Sequence, residues 1–365
     1  MKIVGQATQI GTQKYRQRHF SDCAPGHFRE VNGLVFSSFG IGTYLGQPDE
    51  QTDTLVTNAT VSVVRSGLNL IDTAINYRYM HGEWSVRAAL SRLLSEQIVS
   101  REELILCTKG GFIPHPDRVD WFSQEYANNG NFSISASDLV AECHCMHPEY
   151  LDDQLNRSLD NLGVETIDIY YIHNPETQLS QISTEVFYQR LYQAFEVMEA
   201  AVKAGKIRAY GLATWSGFRV PPTEPNYIDL AYAKALASQA AGDSTDSFQF
   251  IQLPLNAAMT EALVKPTQKV GFQLVPALEA ACHLGIAAIA SASIGQTQAL
   301  GKIPASMTSF LSELRLTEAQ QALQFTRSCP GLLSALVGMK TPSHLISNLA
   351  LTSIEPLPSS CFQMD

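Results

Sequence analysis

Four side chains that can move or hold a proton lie at or near the ends of apolar stretches of the sequence. In GLNLIDTAINYRYMHGE, residues 67–83, the carboxylate of Asp72 ends an apolar run and the phenol of Tyr77 follows five residues later. Lys109 ends a second apolar run, and His173 ends a third. Phenol, ammonium, carboxylate and imidazole together suit the delivery of a proton to a carbonyl oxygen. They supply neither the nucleophile and base pair of a hydrolase nor a set of metal ligands.

The chemistry of this set depends on the group that controls the acidity of the phenol. An unperturbed tyrosine titrates near 10 and is a poor acid at neutral pH. An ammonium group within about 4–6 Å stabilises the phenolate and lowers the pKa. We therefore expect Lys109 to lower the pKa of Tyr77, while Asp72 holds Lys109 charged and in place. His173 would donate a hydrogen bond to a substrate oxygen. Taken singly, a lysine at a strand end or a histidine beside aromatic residues has an ordinary structural explanation.

Eight short apolar runs, separated by segments with helical spacing, could bring these side chains together. They are FSSFGIGT (36–43), NLIDT (69–73), LILCTK (104–109), IDIYYIH (167–173), RAYGLAT (208–214), FQFIQLP (248–254), IAAIAS (286–291) and LSALVG (333–338). Alternating strands and helices indicate parallel strands, and eight units fit an α/β fold of the (β/α)₈ TIM barrel type. A doubly wound open sheet is the alternative, although no run is followed by G-x-G-x-x-G. In a barrel, catalytic groups lie at the carboxyl ends of the strands, which is where the candidate residues fall.

Two segments depart from the strand and helix repeat. Residues 1–30 carry no strong pattern, and we expect a tail or a covering segment there, followed by a single barrel domain over residues 31–365. Residues 112–147 make a connection after the third strand that is far longer than a usual βα loop. The aromatic side chains of this loop are predicted to form an apolar substrate wall: Phe112, Trp121, Phe122 and Tyr126.

Composition excludes several classes of protein. With 45% hydrophobic and 16% charged residues, the chain has enough apolar material for a large core. A net charge of −10 argues against nucleic acid and anionic membranes as partners. Seven cysteines at irregular spacing indicate reduced thiols. No secretory signal and no apolar segment long enough to span a membrane are seen, so we expect a cytoplasmic protein. Its oligomeric state is not predicted.

The run CHCMH, residues 143–147, places two thiols and two imidazoles close together. Ligands spaced this tightly rarely surround one tetrahedral zinc ion, and a distant second pair is missing. We therefore favour part of a lid, or the lead-in to a helix, over a zinc site, and we predict no metal site.

With these motifs in order, the sequence resembles the aldo/keto reductase family over nearly all of residues 33–351. The segment GLNLIDTAINY resembles the family signature G-x-N-x-x-D-T-A-x-x-Y. LCTKGG resembles its lysine strand and IDIYYIHNPE its histidine strand, and GKIRAYGLAT and FIQLPLN follow in family order. The resemblance implies a catalytic tetrad of Asp72, Tyr77, Lys109 and His173, with Tyr77 as proton donor. Tyr79 is the rival phenol, but it lacks the D-T-A-x-x-Y spacing.

The resemblance also implies that the barrel mouth binds NADP, with NADPH preferred over NADH. Gln252 would hold the nicotinamide carboxamide, Lys340 and Thr341 would face the 2′-phosphate, and Asn348 would face the adenine. The full set of implied cofactor-binding residues is Thr43, Tyr44, Asp72, Thr214, Gln252, Ser291, Gly338, Lys340, Thr341, His344 and Asn348. The sequence departs from the usual family pattern at several positions, among them Ala213-Thr214 in place of Ser-Asn, and Ser291 in place of an aromatic residue that often stacks on the nicotinamide.

The expected function is therefore NADP-dependent reduction of a small-molecule aldehyde or ketone. Two alternatives remain open at this point. A cofactor-sensing binding module on the same barrel would bind the nucleotide without appreciable turnover. A barrel isomerase or lyase would use the same carboxylate and lysine without nicotinamide.

Overall fold

A helix and a hairpin precede the first barrel strand and close one end of the barrel. The structure, a computed structural model, describes residues 2–362 except 243, 296–297, 304–306, 308–309 and 312. Helix α1 (Gln9–Arg18) is followed by strands β1 (Phe28–Val31) and β2 (Leu34–Ser37), which pair antiparallel. Leu34 and Phe36 of β2 pack inside the barrel against residues near the amino ends of its strands. The first 30 residues, expected to be a tail or a covering segment, thus contain an ordered helix.

The eight runs of the sequence supply the eight parallel strands of a closed ring. The remaining strands are β3 (Phe39–Gly42), β4 (Leu70–Asp72), β5 (Ile105–Gly110), β6 (Ile167–His173), β7 (Ile207–Ala213), β8 (Phe248–Pro254), β9 (Gln268–Val270), β10 (Gln273–Val275), β11 (Ala287–Ser291) and β12 (Leu332–Val337). Strands β9 and β10 form a separate hairpin, and the other eight close in the order β3-β4-β5-β6-β7-β8-β11-β12. The predicted (β/α)₈ barrel is confirmed.

Helices cover the outside of this ring. They are α2 (Glu50–Arg65), α3 (His81–Ser95), α4 (Arg118–Phe122), α5 (Pro148–Leu162), α6 (Thr184–Lys203), α7 (Leu230–Ala241), α8 (Glu261–Val264), α9 (Ala277–His283), α10 (Glu318–Ser328) and α11 (Pro342–Leu349). Helix α5 illustrates why these segments are helical. Pro148 fits its first turn, Gly163 ends it with φ +68°, and its leucines face the core. Within the described residues, no helix is long and apolar enough to cross a membrane.

The long connection after β5 is only partly what the sequence predicted. Phe122 and Tyr126 are fully buried, and both rings pack against Tyr150 of α5. They are therefore core residues, and their assignment to a substrate wall was wrong. Aromatic side chains at helical spacing filled a local core because the loop folds back onto α5. Phe112 and Trp121 remain partly exposed.

Strand register brings the candidate side chains to one end of the barrel. Asp72 is the last residue of β4 and pairs with Cys107, two residues before Lys109 on β5. His173 ends β6 opposite Ala213, and Gln252 of β8 pairs with the same Ala213 on its other side. Because parallel strands end together, these side chains meet at the mouth formed by the carboxyl ends.

Candidate active site

Lys109 lies at the centre of a buried polar cluster at the barrel mouth. Its Nζ lies 2.6 Å from Oδ2 of Asp72 and donates to the carbonyl oxygen of Thr73 at 2.8 Å. It also donates to Oη of Tyr77 at 3.2 Å. The three hydrogen-bonding directions of the ammonium are thus used by three acceptors, so Lys109 is fixed in place. Among the described residues, the Tyr77 hydroxyl donates to no acceptor.

The charges of this cluster follow from burial and pairing. Burial lowers the pKa of Lys109, but the negative charge of Asp72 and the Tyr77 phenol outweigh burial and raise it above its ordinary value. Burial raises the pKa of the Asp72 carboxyl, and Lys109 opposes that rise. Burial likewise raises the pKa of Tyr77 more than Lys109 lowers it. Lys109 thus lowers the pKa of Tyr77 as expected, but desolvation of the phenolate is the larger effect, so the net pKa is raised.

His173 stands beside the phenol as a neutral imidazole. Its ring centroid lies 5.8 Å from that of Tyr77 and 5.1 Å from that of Phe112. Burial lowers the pKa of His173 well below its usual range, and the charge of Lys109 lowers it further. Nδ1 of His173 is buried and has no partner within the described part of the chain. A neutral ring with an unsatisfied nitrogen can exchange a hydrogen bond with a substrate.

Tyr77 is presented by a tight turn between β4 and α3. Its amide donates to the carbonyl of Ala74, and its carbonyl accepts from the amide of Gly82. A Cβ added to Gly82 would lie 3.0 Å from Cβ of Tyr77, so a glycine here lets α3 begin directly behind the phenol. Tyr79, the rival phenol, is exposed and makes no hydrogen bond to Lys109 within the described part of the chain. The four predicted catalytic residues are brought together around Tyr77.

Two predicted cofactor-binding residues lie inside the same mouth. Gln252 donates its side-chain amide to Oδ1 of Asp72 at 2.9 Å, so it is joined directly to the tetrad. The hydroxyl of Thr214, which follows β7, is buried and finds no partner among the residues that the structure describes. An unsatisfied buried hydroxyl next to Gln252 is a suitable partner for a ligand amide, since such groups are costly to leave unpaired.

A second group of predicted residues lines a cavity of about 160 Å³ beside the mouth. This group consists of Thr43, Gly338, Lys340, Thr341 and His344. Helix α11 begins there with Pro342 in its first turn, no acidic residue in that turn, and no side-chain cap from Thr341. Uncapped amides and the positive end of a helix favour an anion at this place.

The remaining predicted residues are spread around these two regions. Tyr44 is exposed, and its ring centroid lies 5.1 Å from that of Tyr77. Ser291 ends β11 at the mouth and is partly buried. Asn348 is buried on α11 and does not line the 160 Å³ cavity.

His144, the second residue of CHCMH, holds the backbone at the end of strand β6. Gln178 donates to Nδ1 of His144 at 2.9 Å, so the proton resides on Nε2, which lies 2.7 Å from the carbonyl oxygen of His173. From the sequence, CHCMH was assigned to a lid or to the lead-in of a helix, and His144 was given no role of its own. Among the described residues, no three His, Cys, Asp or Glu side chains lie together in a way that could hold a metal ion.

Glu176 was not singled out in the sequence, yet it shapes the loop beside Thr214. One oxygen of this buried carboxylate accepts hydrogen bonds from the backbone amides of Trp215 and Ser216, at 2.6 and 2.9 Å. Glu176 follows His173 by three residues. Its position just after the end of a strand was the only feature of the sequence that could have pointed to it.

Known proteins resemble this chain in sequence over about half of its length. The model of the "Aldo/keto reductase family" matches residues 38–220. Curated relatives include the 6-dehydroglucose reductase of Novosphingobium aromaticivorans, 24% identical over 53% of each chain. The NADH-specific methylglyoxal reductase of Escherichia coli is 26% identical over 49% of each chain. The chain thus spans about half the length of the curated relatives it matches.

Solved structures extend the likeness of fold over the barrel. An aldo-keto reductase from Klebsiella pneumoniae in complex with NADPH superposes with a TM-score of 0.60 at 17% identity. The superposition covers 92% of this chain and 93% of that one. The family model itself accounts for just over half of the sequence, and the chain belongs to the aldo/keto reductase family.

Proposed function

We propose that this protein reduces a small-molecule aldehyde or ketone to the alcohol with NADPH, and that Tyr77 is the proton donor. The hydrogen bond from Lys109 to Oη of Tyr77, 3.2 Å long, carries the proposal. Because the phenol oxygen accepts from an ammonium, its own proton is left to point towards a substrate oxygen. Asp72 keeps Lys109 charged at 2.6 Å. This intact arrangement favours a reductase over a cofactor-sensing module without turnover.

The side chains divide the work between binding and proton transfer. Neutral His173 donates a hydrogen bond to the carbonyl oxygen and holds this oxygen near Tyr77. The hydrogen bond polarises the carbonyl group. The carbonyl carbon would take its hydride from a reduced nicotinamide held beside Gln252 and Thr214. As negative charge develops on the oxygen, Tyr77 transfers its proton to it, and the ammonium of Lys109 stabilises the phenolate that remains. Burial disfavours this phenolate before reaction, so Tyr77 keeps its proton until an acceptor arrives.

The described residues fit a nicotinamide nucleotide at two points. Near the tetrad, the unpaired hydroxyl of Thr214 and the amide of Gln252 are suitable partners for the carboxamide. In the adjoining cavity, Gly46 has φ +126°, and a Cβ there would lie 3.1 Å from Cε of Lys340. The absence of a side chain at Gly46 leaves room for the lysine stem beside the start of α11. Lys340 and Thr341 would hold the 2′-phosphate there, and this supports NADPH over NADH.

Replacing Tyr77 by phenylalanine tests the role of the phenol. General acid catalysis is typically worth 10²–10⁴-fold, so Tyr77→Phe should lower kcat for an aldehyde at least 100-fold. Affinity for NADPH, followed by fluorescence titration, should change less than threefold because the hydroxyl serves the reacting oxygen. Activity is measured as NADPH oxidation across a panel of aldehydes and ketones.

Tyr79→Phe is the matched control for the loss of one tyrosine hydroxyl. It lies two residues away, is exposed, and should leave kcat within twofold of the starting protein. A loss confined to Tyr79→Phe would transfer the role of proton donor to that residue. Failure of the unaltered protein to bind either NADPH or NADH would contradict the proposed function itself.

A further inference from the structure

The turn that presents Tyr77 contains a run of backbone conformations that non-glycine residues rarely adopt. Arg78, Tyr79 and Met80 have φ values of +52°, +53° and +73°. Each left-handed residue with a Cβ is disfavoured by contact with its own backbone. Three in succession persist only where surrounding contacts over-determine the turn. A turn held in this way lies immediately after the proposed proton donor.

Arg78 supplies the contacts that hold the turn. Its side chain is buried, with 2% exposed, and its guanidinium pairs with Asp53 of α2. It also donates to Oγ of Ser85 at 2.9 Å and to the carbonyl of His81 at 3.1 Å, both in the first turns of α3. One side chain thereby joins the turn to two helices.

The same guanidinium reaches the wall of the cofactor cavity. It donates to the carbonyl oxygen of Gln47 at 3.4 Å. Gln47 follows Gly46, which packs against Lys340, and Leu45, which lines the cavity. Asp53 is held in turn by Nδ1 of His81 at 2.7 Å. The turn with Tyr77 and the loop beside the cavity therefore share one anchor.

We propose that Arg78 is a positioning residue for proton transfer: through Asp53 and Ser85 it holds the strained turn so that Tyr77 Oη stays within hydrogen-bond distance of Lys109. The hydrogen bonds of the Arg78 guanidinium within the described residues go to Gln47, Asp53, His81 and Ser85, and none goes to Asp72, Lys109 or the Tyr77 hydroxyl. This inference rests on the proposed function for its effect on turnover, but the fixed position of Tyr77 can be measured without turnover.

Replacing Arg78 by glycine tests whether the contacts of the guanidinium are needed, without adding backbone strain at this residue. A glycine accepts φ +52° without cost, so Arg78→Gly removes the guanidinium contacts and relieves the backbone at the same residue. We expect kcat to fall at least tenfold while the Kd for NADPH changes less than threefold. Arg78→Lys keeps the charge but not the forked geometry, and it should recover part of the lost kcat.

Tyr79→Gly is the matched backbone control. It introduces the same glycine at nearly the same φ, and it removes an exposed side chain. Its kcat should stay within twofold of the starting protein. An equal loss of kcat in Tyr79→Gly and Arg78→Gly would overturn the proposal, because added flexibility alone would then account for both.

The position of Tyr77 is read directly by fluorine NMR of protein labelled with 3-fluorotyrosine. The Tyr77 resonance is assigned by its absence in Tyr77→Phe. It should be a single line in the starting protein and in Tyr79→Gly, and should broaden, shift or split in Arg78→Gly. If Arg78→Gly fails to fold by circular dichroism, Arg78→Lys is used, with a smaller change of the same kind.

An unchanged Tyr77 resonance together with a kcat within threefold in the Arg78 variant would overturn the inference while leaving the proposed function intact. If the unaltered protein instead shows no Tyr77-dependent carbonyl reduction, the proposed function fails. The resonance of Tyr77 still decides whether Arg78 holds the phenol in that case.

Discussion

At the scale of single residues, two opposed effects act on the pKa of Tyr77. Burial raises its pKa because a phenolate is poorly solvated there, and Lys109 lowers it by charge. The sequence shows which residue types can meet, but it does not show how deeply each is desolvated. The composition of the tetrad could therefore be predicted from spacing, whereas the net direction of the Tyr77 shift could not.

We propose that the preference for NADPH over NADH depends on one cation, Lys340. A charge-assisted contact with a 2′-phosphate is worth about 1.5–3 kcal/mol, or roughly 10- to 150-fold in affinity. Lys340→Ala should therefore weaken NADPH binding at least tenfold and leave NADH binding nearly unchanged, as measured by fluorescence titration. Lys203→Ala, an exposed lysine at the end of α6, changes the net charge equally and should alter neither affinity. Equal losses for both cofactors would show that Lys340 does not read the 2′-phosphate.

At the scale of elements, the long connection after β5 combines a core segment with a mouth segment. Tyr126 is fully buried against α5, and its hydroxyl donates to Asp153 at 2.6 Å. Phe112, at the start of the same loop, lies with its ring beside His173. The sequence showed aromatic residues at suitable spacing, but the side of the loop that each one faces depends on how the loop folds onto α5.

These two aromatic residues should respond differently to truncation. Tyr126→Ala should destabilise the fold by about 3–5 kcal/mol, as loss of a large buried ring does, with little change in the KM of the folded enzyme. Phe112→Ala should raise the KM for apolar carbonyls several-fold at a smaller cost in stability. Urea unfolding and steady-state kinetics measure the two effects. A large KM change in Tyr126→Ala without loss of stability would show that Tyr126 contacts the substrate and is not a core residue.

At the scale of the whole molecule, eight apolar runs were enough to predict the barrel. They could not show that residues 36–37 belong to the closing hairpin while 39–42 form the first barrel strand. Nor could they show the ordered helix within the first 30 residues, because α1 is mostly polar and is held through a few buried groups such as Tyr15. Long-range hydrogen bonds, such as that from Tyr15 to the carbonyl of Val64, leave no local pattern.

Buried neutral histidines should make the fold sensitive to acid. Burial lowers the pKa of His27 to about 3 and that of His144 to about 4. Below about pH 6.5 the unfolded chain takes up protons that the folded chain refuses, so stability falls by roughly 1.4 kcal/mol per histidine per pH unit. This loss continues until the folded pKa is reached. Buried Glu83 and Glu176, whose pKa values burial raises, act in the opposite sense.

The variant His27→Gln isolates the contribution of one buried histidine to the pH dependence of stability. Free energies of unfolding in urea at pH 7.5 and pH 5.0 should fall less in His27→Gln than in the unaltered protein. Glutamine can keep hydrogen bonds to Ser38 and to the carbonyl of Gly67, the partners of His27. Equal pH dependence in the two proteins would mean that His27 does not titrate on unfolding.

The hydrogen bond between Gln252 and Asp72 joins strands β8 and β4, which lie four places apart in a ring of eight. A ligand that draws the Gln252 amide away leaves the Asp72 carboxylate with one donor fewer, and its affinity for a proton rises. Nucleotide binding and proton uptake are then thermodynamically linked, and each strengthens the other. Calorimetry would detect this as an NADPH binding enthalpy that differs between Tris and phosphate by the heat of buffer ionisation. Gln252→Leu should abolish the difference, and equal heats in the unaltered protein would show that Asp72 keeps its partner throughout.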